Sequence, residues 1–427
     1  MMPETFMWIR ALCSVVAMCI LRWVHKCCID VGVKLKCMPT RINKAIASRC
    51  PTFYKPYRPN AMLSSIPGID HLLQSAYLVG VSPASRAAVR LQLVKLPDGG
   101  SLGLQWLNES EDEDIPTTRH IVVSMPPVGE CSPFKNLNGI LCHEIIKRLH
   151  YRVVQVVYQG LGGLPLTSRH LPGTGYCGLS DTGEAIRAVH EAFPEAKILV
   201  LGCSIGSAIF TRWAGANPEV CKRYKVSGAV LCAHGFSAQE TTERGDKMFL
   251  SIGGKNVVRI WKEQLSTYNT AQLDKLDGVD GFSRNALFKA RLSGEWDDAL
   301  LSIYGYTSRE DMFLHCDAVY VMKSINFPSL YINAEDDPVC PAARMRRQEK
   351  PDLLNSPMAM LLSTRRGGHL GWHDGFFASS SQRQWIRGAV CEFLQAVADI
   401  QTEEAAVQPC GTSEVGSLVT SEHPSTS

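Results

Sequence analysis

Three short stretches of the sequence carry residues able to do covalent chemistry. In Gly202-Cys203-Ser204-Ile205-Gly206 a serine stands between small residues, after the apolar run Lys197 to Leu201 and before the helical-looking Ser207 to Ala214. A strand, a tight turn and a helix in that order hold a serine in strained backbone, with its hydroxyl over the sheet edge where it can attack a carbonyl. Cys203 is beside the apex of the turn and not at it, so the hydroxyl is the expected nucleophile. Ala334-Glu335-Asp336-Asp337-Pro338-Val339 follows a second apolar run, Pro328 to Asn333. A carboxylate at the end of a strand can reach an imidazole, fix its tautomer and stabilise the imidazolium formed during attack. Asp337, immediately before the proline, is the expected acid, with Asp336 as the alternative. In Gly367-Gly368-His369-Leu370-Gly371 the glycines leave room for the ring of His369 to reach across to the serine.

Each stretch alone has a plainer reading: a glycine-rich turn, an Asp-Pro turn opener, a surface histidine. Their order along the chain, Ser204 then Asp337 then His369, is the order in which one kind of α/β sheet presents nucleophile, acid and base. The combination predicts a serine hydrolase.

The elements that must position these residues are legible in outline. Leu91 to Trp106 alternates on either side of Asp98-Gly99-Gly100 and reads as a β-hairpin, and Glu109 to Asp114 as an acidic loop. His120 to Ser124, Arg152 to Tyr158, Lys197 to Leu201, Ser227 to Cys232, Pro328 to Asn333 and Met358 to Leu362 read as strands. Gly139 to Leu149, Asp181 to Phe193 and Gln382 to Ala398 read as helices. Such alternation predicts the α/β class, a mostly parallel central sheet with helices on both faces. The long stretch between Cys232 and Pro328 exceeds a simple crossover and predicts a helical cap over the site, at about residues 236–320. The expected organisation is a membrane-anchor and basic segment at 1–58, a lead-in at 59–90, the catalytic domain at 91–400 and a disordered tail at 401–427.

A net charge of +3, with charged residues at 20%, gives no global basic field, so nucleic acid is excluded as an expected partner. The sixteen cysteines form neither a C-x-x-C pair nor a cluster with zinc-ligand spacing, which reads as free thiols in a reducing compartment and no metal. Cys27 and Cys28, beside basic residues, suit either S-palmitoylation or burial. Ala11 to Leu21 is apolar and bracketed by Arg10 and Arg22; extended from Phe6 to Val24 it reaches membrane length if both arginines snorkel. A signal anchor, an interfacial helix and a soluble lead-in helix all stay open, whereas a cleavable signal peptide lacks its small-residue site. From Arg22 to Arg58 there are nine Lys or Arg residues and one acid, Asp30, a bias that predicts a cytoplasmic catalytic domain.

Several stretches resemble the membrane-anchored α/β-hydrolase-domain lipases, the branch with monoacylglycerol-lipase-like, phospholipase-like and embryogenesis-associated members. They are Leu96-Pro97-Asp98-Gly99-Gly100 with Trp106, Gly160-Leu161-Gly162-Gly163-Leu164-Pro165-Leu166-Thr167, the serine turn, Tyr304-Gly305-Tyr306, Ile332 to Pro338 and Gly367 to Gly371. The resemblance covers roughly residues 90 to 395. It implies the α/β-hydrolase fold, esterase or lipase activity on acylglycerols or phospholipids, an amino-terminal anchor at a membrane surface, and no metal or other cofactor. The family's glycine after the third strand is replaced in Met125-Pro126-Pro127-Val128-Gly129 by Pro127, which has no N–H. The expected oxyanion donors are therefore the backbone N–H groups of Ile205 and Val128, or Gly129 if the loop is shortened. Two other outcomes remain open: an acyltransferase using the same triad, since His369 to Asp374 has the H-x-x-x-x-D spacing, and an impaired hydrolase-fold scaffold.

Overall fold

The computed structural model describes residues 2–25, 32–60, 63–64, 70–76, 89–107, 120–127, 136–166, 169, 171, 179–247, 252–340, 355–375 and 384–407. Nine strands form one sheet: β1 (Val33–Cys37), β2 (Val89–Lys95), β3 (Ser101–Leu107), β4 (Ile121–Met125), β5 (Arg152–Val157), β6 (Ile198–Cys203), β7 (Val226–Cys232), β8 (Ser329–Ala334) and β9 (Ala359–Thr364). Their order is β1-β9-β8-β7-β6-β4-β5-β3-β2. Strands β4 to β9 are mutually parallel, while β1 and the β2–β3 hairpin are antiparallel additions at the two edges.

Strands buried on both faces must be apolar on both faces, and β6, β7, β8 and β9 are buried at every position. The period of two then divides their side chains. Leu199, Leu201 and Cys203 join a cluster with Ile46, Phe53, Leu141, Trp372 and Phe393, under the helices Arg41–Ser48, Asn136–Leu149 and Gln384–Val407. Ile198 and Val200 join the opposite cluster with Ile186, Val189, Phe210 and Trp213, under the helices Leu179–Ala192 and Ile205–Ala216. Because six strands run the same way, the loops after β4, β6, β8 and β9 emerge at one edge of the sheet. That edge is where open α/β sheets bind ligands.

The expected mostly parallel sheet with helices on both faces is present, and the strands begin and end within two residues of expectation. Two boundaries are corrected. Residues 33–57 are part of the folded domain and not of a separate basic segment. Strand β1 pairs with β9 from Val33↔Thr364 to Cys37↔Met360, and Ile46, Phe53 and Tyr57 are buried in the core. Fully burying an aliphatic or aromatic side chain is worth about 1.5–3 kcal/mol, against about 0–1 for an exposed ion pair such as Arg49 with Glu403, so the apolar contacts decide where this segment lies. The last helix continues to Val407, past the start of the expected tail; residues 408–427 lie outside the described residues, as do the acidic loop and the Cys27–Cys28 pair.

Between β7 and β8 the chain forms a series of short helices from Ala238–Lys247 to Arg309–Cys316. They have a core of their own, with the rings of Trp261 and Trp296 5.5 Å apart and tilted by 32°, and Phe282 and Leu287 buried. Leu166 and Leu171, from the chain after β5, complete it. Asn269 fixes that join: its side-chain amide donates to the Gly160 carbonyl (3.0 Å) and its oxygen accepts from the Leu166 N–H (2.6 Å).

The helix Met2–Val24 contains a 19-residue stretch, Phe6–Val24, long and apolar enough to cross a membrane, and none of it is buried against the protein. At 1.5 Å per residue it is about 28 Å long, close to the roughly 30 Å of a hydrocarbon core.

Candidate active site

Ser204 follows β6 directly and has φ 53° and ψ −123°, a conformation that costs on the order of 1–3 kcal/mol and persists only where its surroundings enforce it. The enforcement comes from close packing at the flanking glycines. A Cβ on Gly202 would lie 2.7 Å from Ser207 Cα, and one on Gly206 would lie 2.3 Å from the Met125 carbonyl oxygen and 2.5 Å from that of Pro126. Gly206 thus lets the helix Ile205–Ala216 start flush against the end of β4. The Ser204 N–H donates to the Cys232 carbonyl at 2.9 Å, tying the turn to the end of β7.

Asp337 lies in the turn after β8. Its Oδ1 accepts the backbone N–H groups of Val339 (2.7 Å) and Cys340 (2.8 Å), which orients the carboxylate. Asn333 holds this turn from beneath. Its amide nitrogen donates to the carbonyls of Cys340 (3.1 Å) and His234 (3.0 Å).

His369 lies after β9 and joins the two. Its Nε2 is 2.9 Å from Ser204 Oγ, and its Nδ1 is 2.9 Å and 3.1 Å from the two carboxylate oxygens of Asp337. Asp336, the alternative acid, points elsewhere. Its Oδ1 accepts the Gly368 N–H at 3.0 Å, and Arg366 lies 3.9 Å from its other oxygen. Burial of the ring opposes its charge, but the Asp337 carboxylate on Nδ1 and the Cys340 sulfur beside it outweigh burial, so the His369 pKa is raised above its ordinary value. Such a shift favours proton uptake at Nε2, as a general base requires.

Of the expected oxyanion donors, Ile205 opens its helix, so its N–H has no partner within that helix. Val128 and Gly129 lie outside the described residues. Pro126 and Pro127 follow β4 and, as prolines, offer no N–H. The H-x-x-x-x-D spacing has another use here: Asp374 accepts the Trp385 N–H at 2.9 Å, capping the start of the last helix, and burial raises its pKa to about 6. Cys203 is buried in the sheet core. Among the described residues the ligating atoms of Asp337, Cys340 and His369 lie within 4.8 Å of one another, so this trio could hold a metal ion.

Sequence reasoning missed Asn333, Ser75 and Gln74. The first had a signal, a polar amide after the apolar run Leu330 to Ile332 inside the strand Ser329–Ala334. Ser75 and Gln74 had none, since their partners lie about 300 positions along the chain: Ser75 Oγ accepts the His369 N–H at 2.8 Å, and Gln74 Oε1 accepts the His373 N–H at 3.2 Å. His234 is fully buried 3.0 Å from Thr211 Oγ1, and burial lowers its pKa to about 3, so it stays neutral.

A family model described as alpha/beta hydrolase fold matches residues 164–376. The embryogenesis-associated protein EMB8 of Picea glauca is 24% identical over 327 residues, covering 74% of this chain and 68% of that protein. Phospholipase ABHD3 of Mus musculus is 23% identical over 319 residues, covering 73% of this chain and 72% of its own. The monoacylglycerol lipase of Saccharomyces cerevisiae is 24% identical over 266 residues, 61% of this chain; the match spans 55% of that enzyme. With these matches and this sheet, the chain belongs to the α/β-hydrolase fold family, and it is a hydrolase of the carboxylic-ester type.

Proposed function

We propose that the protein is a membrane-associated serine hydrolase that cleaves a lipid ester, of monoacylglycerol or phospholipid type, through an acyl-enzyme on Ser204. The observation that carries this reading is the unbroken run of contacts from Ser204 Oγ through the His369 ring to Asp337, each link 2.9 Å long. Ser204 Oγ attacks the ester carbonyl while His369 Nε2 takes its proton. The tetrahedral intermediate collapses, the proton passes to the leaving alcohol, and the acyl group stays on Ser204. Water, deprotonated by the same nitrogen, then releases the carboxylic acid. Asp337 holds the imidazole in the tautomer that leaves Nε2 free to accept. The Ile205 N–H receives the oxyanion, with Val128 as second donor. The route needs no metal and no cofactor.

Support for a lipid comes from relatives named monoacylglycerol lipase and phospholipase, and from the exposed apolar helix, which would hold the enzyme where such esters are. The catalytic domain faces the cytosol in this reading, in keeping with cysteines that are all free among the described residues. Incubation with a monoacylglycerol or phospholipid carrying a labelled acyl chain should release free fatty acid, with or without lysolipid. Transfer of label to added lysolipid in preference to water would assign an acyltransferase instead.

Deletion of residues 1–26 should move the protein to the soluble fraction with esterase activity on a short aryl ester unchanged, since the folded domain starts at β1. Unchanged sedimentation with membranes, in carbonate as in buffer, would assign the binding to the domain itself.

A further inference from the structure

We propose that Tyr57, Asn60, Gln74 and Ser75 are working parts of the catalytic apparatus, with Ser75 a positioning residue for His369; the proposal rests on the reading of His369 as the general base. The loop that carries His369 is under backbone strain. Gly368, Leu370 and Trp372 all have positive φ, at 59°, 57° and 43°, and two of these are L residues that leave that region unless held.

What holds the loop comes largely from the other end of the chain. The His369 N–H donates to Ser75 Oγ (2.8 Å), one residue after the Gly368 N–H donates to Asp336 (3.0 Å). Two consecutive amides, on the base and just before it, are thus fixed by side chains from two separate segments. Further along, the His373 N–H donates to Gln74 Oε1 (3.2 Å), and the His373 carbonyl accepts the Asn60 N–H (2.7 Å) and the Tyr57 hydroxyl (2.9 Å). Pro59 forms an antiparallel bridge with Asp374. Gln74 is buried and its amide also donates to Ser64 Oγ (3.3 Å), which ties Ser64 to the helix Asp70–Ala76. Contact is so close that a Cβ on Gly371 would lie 2.6 Å from the Gln74 carbonyl oxygen.

Ser75 Oγ meets His369 at its backbone N–H, on the opposite side of the residue from the Asp337 carboxylate's contact with the ring, so it acts on where the ring sits. In the full chain, Ser75→Ala should lower kcat for a short aryl ester by about tenfold to a hundredfold, the loss expected when a reacting group shifts by a fraction of an ångström to an ångström. KM and the acid limb of the pH profile should not move, because the substrate contacts and the Asp337 carboxylate are untouched. Alanine is the better helix former, so the helix Asp70–Ala76 should tolerate it, and rates taken per active site titrated with a fluorophosphonate exclude misfolded protein from the comparison. Ser75→Thr keeps the hydroxyl and should recover most of the rate. Wild-type kcat in Ser75→Ala, or a threonine variant as slow as the alanine one, would overturn the proposal. The control separates this from failure of the triad itself: if Ser204→Ala still labels, the catalytic reading falls first and this one with it. If labelling depends on Ser204 and Ser75→Ala is unaffected, only the brace is wrong.

Discussion

Ser204→Ala should abolish both labelling by a fluorophosphonate and hydrolysis of a short-chain aryl ester, a loss on the order of a millionfold in turnover where a serine, its histidine and its acid act as a unit. The wild-type serine has Nε2 of His369 at 2.9 Å as the base in contact among the described residues, so His369→Ala should cost nearly as much. Asp337→Asn should leave more, a drop of about ten-thousandfold, because the amide can still touch Nδ1 but favours the wrong tautomer. Asp336→Asn keeps an oxygen for the Gly368 N–H and should be mild. The pH dependence has a definite sign. Catalysis needs neutral His369, and Asp337 raises its pKa, so wild-type activity is lost as pH falls through that raised value. Removing the carboxylate lowers the pKa, and the acid limb of the residual activity should move to lower pH. Labelling that survives Ser204→Ala, or an acid limb that stays in place in Asp337→Asn, would remove the serine or the acid from the proposed triad.

The second large effect is expected from a single added methyl group. In Gly206→Ala the new Cβ would meet the Met125 and Pro126 carbonyl oxygens at 2.3 and 2.5 Å, and both are main-chain atoms at the end of a fully buried strand. Overpacking a close-packed interior costs about 1–3 kcal/mol where side chains can shift, and here backbone must shift. Relief requires the start of the helix to move away from β4, and Ile205, the proposed oxyanion donor, moves with it. Turnover should therefore fall by at least about a hundredfold, with a lower denaturation midpoint. A Gly206→Ala protein with native turnover would mean that the elbow does not depend on that contact.

Much of this was legible in the sequence because it is local. A strand buried on both faces is a continuous apolar run, and the elbow, the acid turn and the histidine loop each announce themselves by residues next to one another. The choice of Asp337 over Asp336 rested on the proline that follows, and the Asp337 carboxylate does accept the N–H groups of the turn that this proline opens. Strand β1 was hidden for a physical reason. Lys34 and Lys36 alternate with Val33, Leu35 and Cys37 on a half-buried edge, and in a stretch already rich in arginine and lysine that alternation reads as a basic segment. Lys34 also finds Glu335 at 3.4 Å, a partner about 300 positions away. The contacts of Ser75 and Gln74 have the same origin. Their partners are chosen by the path of the chain, and no spacing within the sequence encodes them.

The place of β1 in the sheet also sets a schedule for the chain's synthesis. Its partner β9 ends at Thr364, 331 residues after Val33 (364 − 33), so the edge pairing cannot form until nearly the whole domain has been made. At about 5–20 residues per second the ribosome takes roughly 15 to 65 seconds to span that distance. During this interval the strand's backbone donors and acceptors lack their native partner, with the apolar helix Met2–Val24 already made. Lysines on an exposed edge discourage pairing with other chains, so Lys34 and Lys36 serve the nascent protein before they serve the finished one.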